Sequence, residues 1–310
     1  MRVFGADFSG ARNPSRGIYY AEGALSSGRL VIKRVIPCDD RLDLFHAIDF
    51  SRAPWGLDFP FALSKEAMRI LRLEGWEDLL KKVAGCTREE FEEKIAKSGL
   101  PSCEARCRGM REEKSGKGFK EGTGMSPGKS PGRGRGADQG GSFPPCCREV
   151  DNSIQAFSPL KKTNPNMRAM VYAGLKFLYY LRRVGHKVYP FDHRDRTFSR
   201  IYEVYPSHAW RQLGLSRNTS LDQLAKGFKD KYDFHVELDE GLFQVESLDA
   251  ADAVAACVTM AFVLDKWGLE EDWKRKPPWI TKREWALRFE EGLIVGPRTK
   301  IVDPGRSIVF

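Results

Sequence analysis

Four aspartates stand where side chains can act together. Asp7 closes the apolar run RVFGADF, Asp58 sits late in PWGLDFPFAL at 54–63, and Asp249 and Asp252 open the long apolar stretch LDAADAVAACVTMA. In a helix the last two, at i and i+3, share one face. Carboxylates carried on strand ends and helix starts reach a common cleft from a rigid scaffold. Crowded carboxylates repel one another and call for a cation, and oxygen donors of this kind suit Mg²⁺ or Mn²⁺. Two such ions about 3.5–4 Å apart stabilise both the attacking and the leaving oxygen when a phosphodiester is hydrolysed. The pattern therefore predicts a divalent-metal-dependent hydrolase acting on nucleic acid.

Each acid has a plainer reading beside this one. Asp7 can end a strand and accept turn hydrogen bonds, and Asp249 suits the first turn of a helix, where the macrodipole favours negative charge. Asp58 is harder to explain away, because a buried unpaired carboxylate is costly without a cation or a cluster of donors. Ser9-Gly10-Ala11, after the first strand, reads as a hairpin turn or as a backbone cradle for phosphate.

These residues need elements to hold them. Residues 2–8, 17–24 and 29–36 are β-rich runs between turn signals and predict a three-stranded antiparallel meander. A helix from Arg41 to Phe50 and a short strand punctuated by Pro60 follow. Residues 64–98 are helical in period, with two segments opening on Ser or Thr. From 109 to 141 the chain carries eleven glycines and almost no large apolar residues, so it cannot repay its ordering entropy by burial and reads as a basic flexible loop. Its Lys and Arg are candidates to hold phosphates; a solvated insertion with no partner is the other reading. Beyond it the pattern predicts a helix from Asn166 to Val184, strands at 187–191 and 201–206, a long helix from Ser247 to Trp267, and a helix followed by an extended tail.

That order, β-β-β-α-β-α-β-α with an Asp in the first strand, an acid in the fourth and acids on the last helix, resembles the RNase H-like superfamily. The segment LDAADAVAACVTMA is similar to the final catalytic helix of RuvC-type Holliday-junction resolvases, with the same D-A-A-D spacing. More closely, GADFSGA, GLDFPFAL, CREVD followed by SPLKKTNP, IYEVYPSHAW, LDAADAVAA and EEGLIVGP resemble successive blocks of the predicted RNase H-like nucleases once catalogued as a domain of unknown function. The resemblance spans most of the chain. It implies one RNase H-like α/β domain over 1–310, with a mixed sheet of three antiparallel strands followed by parallel strands flanked by helices, interrupted by an insertion at 64–160. It implies that Asp7, Asp58 and Asp249 or Asp252 are metal ligands, and it adds Glu203 to the catalytic acids. It also marks Arg148 and Asp151 as a polar pair, and Arg148, Lys161 and Lys162 as candidate phosphate contacts. The insertion departs from the simple fold and leaves the choice between DNA and RNA open.

The competing readings are a sugar-kinase or actin-like phosphotransferase, which also places an Asp beside a Gly/Ser turn, and a catalytically silent nucleic-acid-binding protein. The first needs two related half-domains, and neither a second phosphate turn nor a P-loop is present. Retention of all the acids speaks against the second.

Composition bears on partners and compartment. The formal net charge of +9 over 310 residues favours a polyanionic partner. The N-terminus lacks the layout of a signal peptide, and the longest apolar run, Ala253–Leu264, is too short to span a bilayer. The expected setting is cytoplasmic, with no membrane association. Seven cysteines then read as reduced thiols or metal ligands. Cys103, Cys107, Cys146 and Cys147 bracket the glycine-rich loop and offer four thiolates for a structural Zn²⁺; four unrelated thiols is the alternative. The histidines, His208 among them, lack metal-binding spacing.

Overall fold

A computed structural model describes residues 1–14, 17–101, 107, 145–163, 165–240, 242, 247–269, 273–277 and 279–298. The loop expected at 109–141 and Cys103 lie outside them. The chain opens with β1 (Arg2–Asp7), β2 (Ile18–Ser26) and β3 (Arg29–Cys38), then α1 (Arg41–Ser51) and β4 (Pro54–Asp58). The predicted meander, helix and fourth strand are all formed. The helical insertion supplies α2 (Lys65–Ile70), α3 (Trp76–Ala84), α4 (Arg88–Lys97) and α5 (Glu149–Ile154). There follow α6 (Met167–Arg183), β5 (Lys187–Val188), β6 (Arg200–Val204), α7 (Pro206–Gln212), α8 (Leu221–Tyr232), β7 (His235–Leu238), α9 (Leu248–Trp267), α10 (Lys282–Glu291) and β8 (Ile294–Val295). The helices α5, α7 and α8 and the strand β7 had no counterpart in the sequence reading.

The strands form one mixed sheet in the order β5-β6-β4-β1-β2-β3-β7, with β8 also on β6. Strands β1, β2 and β3 run antiparallel, while β1–β4, β4–β6 and β3–β7 are parallel. Because side chains alternate between the faces of a sheet, each strand feeds two cores. Phe4, Ala6, Trp55, Leu57 and Ile201 pack on one face against α1, α3, α4 and α6. Val3, Tyr202 and Val204 pack on the other against α7, α8 and α9.

The helix α9 is apolar on every side, as a central buried helix must be, and every residue from Ala250 to Leu264 is buried. Small residues let it lie almost on the sheet. A Cβ built on Gly5 of β1 would stand 2.0 Å from the backbone nitrogen of Cys257, so no side chain fits between strand and helix there. This contact fixes how far along β1 the helix begins. Among the described residues no helix is long and apolar enough to cross a membrane.

Candidate functional site

Asp7 and Asp58 are the last residues of β1 and β4, and the parallel register sets them directly opposite each other. Neighbouring strands lie about 4.8 Å apart, so the two carboxylates leave the sheet side by side. They leave it on the α9 face, since Val3 and Gly5, two and four residues before Asp7, both face that helix. Because α9 is pinned over Gly5, its first turn reaches the same strand ends and brings Asp249 and Asp252 with it. All four acids line one cleft of about 660 Å³. Its other walls include the Ser9-Gly10-Ala11 turn, Arg88, Arg217 and the start of α6 at Asn166 and Met167.

The Ser9-Gly10-Ala11 segment is a turn pressed against that helix: a Cβ on Gly10 would lie 2.4 Å from the backbone nitrogen of Met170. The Arg41 guanidinium holds the turn from behind by donating to the carbonyls of Ser9 and Ala11. The turn forms cleft wall, and its backbone is rigidly placed beside Asp7.

The electrostatics of the cleft are those of surplus negative charge. Burial, and then the charges of Asp58, Asp252 and Asp249, hold Asp7 well above the ordinary carboxylate range. Asp58 is raised in the same way, by burial first and then by Asp252. Burial also raises Asp252, against the opposing pull of Arg217 and a hydrogen bond from Trp210. That bond runs from Trp210 Nε1 to Asp252 Oδ1 at 2.9 Å, and Arg217 Nη2 reaches Asp252 Oδ2 at 2.8 Å and Asp249 Oδ1 at 3.5 Å. Arg217 and Trp210 were not legible as site residues, because a turn and a short helix bring them in from 32 and 42 residues away in sequence.

The donor chemistry fits Mg²⁺ or Mn²⁺: oxygen ligands, net negative, on strand ends and a helix that cannot move apart. Among the described residues no group of three or more His, Cys, Asp or Glu side chains is arranged to hold a metal ion as it stands. In this arrangement Asp252 spends one oxygen on Trp210 and the other on Arg217.

Several expected site residues lie elsewhere. Glu203 pairs in register with Leu57, not Asp58, so it points to the opposite face of the sheet. There it is 2% exposed, and it takes Arg148 in a double hydrogen bond, Nη2 to Oε1 at 2.6 Å and Nη1 to Oε2 at 2.9 Å, and accepts the Phe61 amide at 3.0 Å. A carboxylate so occupied is a poor metal ligand, and Glu203 is corrected from catalytic acid to clamp. Arg148 is likewise no phosphate contact: it is 1% exposed and also holds Asp151, Nη2 to Oδ1 at 2.7 Å. Lys161 is buried, its ammonium on the carbonyls of Thr163 and Pro165 and over the Phe157 ring. Of the three cations named, Lys162 alone is exposed.

The cysteines also depart from expectation. Cys107 and Cys147 are joined in a disulfide and Cys146 is disulfide-bonded too, while Cys38, Cys86 and Cys257 are free thiols. Oxidised sulfurs offer no thiolate, so this arrangement does not hold the zinc that the spacing suggested. Cys107 and Cys147 flank the glycine-rich segment, and a covalent link between them does the tying that a metal would have done.

No protein-family model, no curated protein and no solved structure matches the chain.

Proposed function

We propose that the chain is a metal-dependent nuclease of RNase H-like type, hydrolysing phosphodiester bonds of DNA or RNA at the acid cleft. The observation that carries the reading is the convergence of Asp7, Asp58, Asp249 and Asp252, from two adjacent strand ends and one helix start, on one open cleft. Burial, and then the charges of neighbouring acids, raise the affinity of Asp7, Asp58 and Asp252 for protons. A protein gains nothing in stability from such an arrangement, and a cation relieves it. The element order and the placement of the acids follow the pattern on which the RNase H-like resemblance rests.

Asp7, Asp58, Asp252 and Asp249 would hold Mg²⁺ or Mn²⁺, which when bound supplies an activated water and charge neutralisation at the phosphate. The chain's own residues do the positioning. Trp210 fixes the rotamer of Asp252, and Gly5 keeps α9 close enough for that carboxylate to reach the strand ends. The open cleft admits a polymer backbone, with Arg88 beside the turn as a cation within reach of phosphate. The described residues form a single sheet, with no second, related half-domain of the kind a sugar-kinase or actin-like phosphotransferase needs.

The test is a panel of single-stranded, duplex and branched DNA and RNA incubated with Mg²⁺, Mn²⁺ or EDTA. Cleavage is expected with metal alone, and Asp7→Asn or Asp58→Asn should reduce it to background while the melting curve stays cooperative. An intact panel, or Asn variants that cut normally, would sink the assignment.

A further inference from the structure

Arg217 stands among the acids without being required to hold the fold together. It sits in the turn between α7 and α8, and that turn is closed by its own bonds, Thr219 N to Ser216 O at 3.0 Å and Ser216 N to Thr219 Oγ1 at 3.2 Å. The backbone is therefore set without the arginine side chain. The Arg217 side chain is 43% exposed and that of Asp249 42%, whereas Asp252 beside them is 5% exposed. Its charge draws down three of the acids together, Asp7, Asp58 and Asp252. A long side chain anchored on a fixed turn and 43% exposed can leave by rotation of its own bonds.

Arg217 occupies an oxygen that a metal would use. Asp252 Oδ1 already accepts from Trp210, and at Oδ2 Arg217 Nη2 lies at 2.8 Å. A guanidinium and a dication cannot share that oxygen without repelling each other at contact distance.

We propose that Arg217 is a displaceable internal counter-ion, which divalent metal must expel from Asp252 and Asp249, so that this one side chain sets the metal concentration at which the cleft loads. The inference rests on the carboxylates being the metal site. It explains why the four acids line one cleft and yet do not stand as a metal cage: the cleft carries its own substitute cation, which limits repulsion in the metal-free state.

The experiment is calorimetric titration of the full chain with MnCl₂ alone, in the absence of nucleic acid. Arg217→Gln should bind Mn²⁺ about three- to tenfold more tightly than the unaltered chain, the size expected for removing one half-exposed competing ion pair. Arg217→Lys, which keeps a charge but loses the fork, should fall between the two, and Asp58→Asn should weaken binding. Circular-dichroism melts of each variant establish that it is folded. Equal or weaker Mn²⁺ binding by Arg217→Gln, with Asp58→Asn still impaired, would overturn the counter-ion and leave the metal site standing. No saturable Mn²⁺ binding by either the unaltered chain or Arg217→Gln would overturn the metal site and the counter-ion with it.

Discussion

Two groups of carboxylates sit at the same edge of this sheet, a strand's thickness apart, and they do opposite things. On the α9 face, Asp7, Asp58, Asp249 and Asp252 share one half-exposed arginine at the wall of an open cleft. On the other face, Glu203 and Asp151 close on Arg148, which is sealed from solvent. Glu291 completes that second group: its oxygens accept the amides of Lys65 and Glu149, both at 2.7 Å, and its own carbonyl accepts Arg148 Nη1 at 3.2 Å. The second group thus ties α2, α5, β6 and α10 into one unit. Strand-end acids become a site where charge is left over and solvent has access, and a clamp where donors match acceptors. The two outcomes are separated by one residue of register, Asp58 against Glu203 beside Leu57.

The largest expected effect breaks the clamp. Arg148→Met leaves two acids buried with no counter-charge, and removing one partner of a buried network of this kind costs about 3–5 kcal/mol. Glu203→Gln keeps hydrogen-bonding capacity but loses the charge on it, at roughly 1.5–3 kcal/mol. Chemical denaturation measures both. If Glu203 is a clamp, Glu203→Gln retains full Mn²⁺ binding in whatever fraction remains folded; lost metal binding with unchanged stability would return it to the acid cleft.

How far these residues could be read from sequence follows from the same geometry. Asp7, Asp58 and Asp252 were legible because each sits at an element end in an otherwise apolar run, a position with few structural excuses. Glu203 was misread because block resemblance ignores parity: in RIYEV, Tyr202 and Val204 face α9, so Glu203 cannot. The sequence alone does not say which face meets α9, because β6 is buried at all five positions and its register against β4 is set by the fold. Arg148 gave no signal either, since a basic residue beside a glycine-rich basic loop looks solvated until the tertiary fold buries it. Lys161 follows the same rule on a smaller scale, an ammonium satisfied by carbonyls of its own turn. Cys107, Cys146 and Cys147 were misjudged because the expected compartment decided their chemistry ahead of their positions, whereas Cys38, Cys86 and Cys257 are the free thiols expected.

A middle-sized effect sharpens the contrast through pH. Asp58 has its folded pKa raised by burial and by Asp252, so its folded state binds the proton more tightly than the unfolded chain does. Stability from this group is present at low pH and is lost as pH climbs from the ordinary carboxylate range through the raised folded value. Asp58→Asn removes that loss. Its melting temperature should exceed that of the unaltered chain at neutral pH, and the gap should close as pH falls toward 4. Buried His208, lowered to about 3, destabilises both proteins alike as pH falls below the usual histidine range, so it cancels in the difference. A gap that is absent at pH 7, or that widens on acidification, would mean the cleft acids are satisfied like those of the clamp. Added Mn²⁺ should raise the melting temperature of the unaltered chain and leave Asp58→Asn nearly unmoved.

The smallest effect concerns Trp210, which belongs to both worlds. Its ring is core, 1% exposed, while its Nε1–H points at Asp252 Oδ1 from 2.9 Å. Trp210→Phe keeps much of the apolar contact and removes the donor, so the direct loss is one hydrogen bond to a carboxylate in a partly wet cleft, about 1–2 kcal/mol together with the small cavity left by the smaller ring. If the bond only satisfies the tryptophan, stability falls and Mn²⁺ affinity stays put. If it fixes the carboxylate for a cation, Asp252 gains freedom, the metal must pay for ordering it, and Mn²⁺ affinity should fall several-fold at unchanged stoichiometry. Calorimetry on Trp210→Phe and on Trp210→Phe combined with Arg217→Gln separates these. With both partners of Asp252 removed, the gain from losing the counter-ion and the loss from losing the orienting bond should offset each other, because they act on two oxygens of one carboxylate. A double variant that binds Mn²⁺ as tightly as Arg217→Gln alone would make Trp210 a core residue and nothing more.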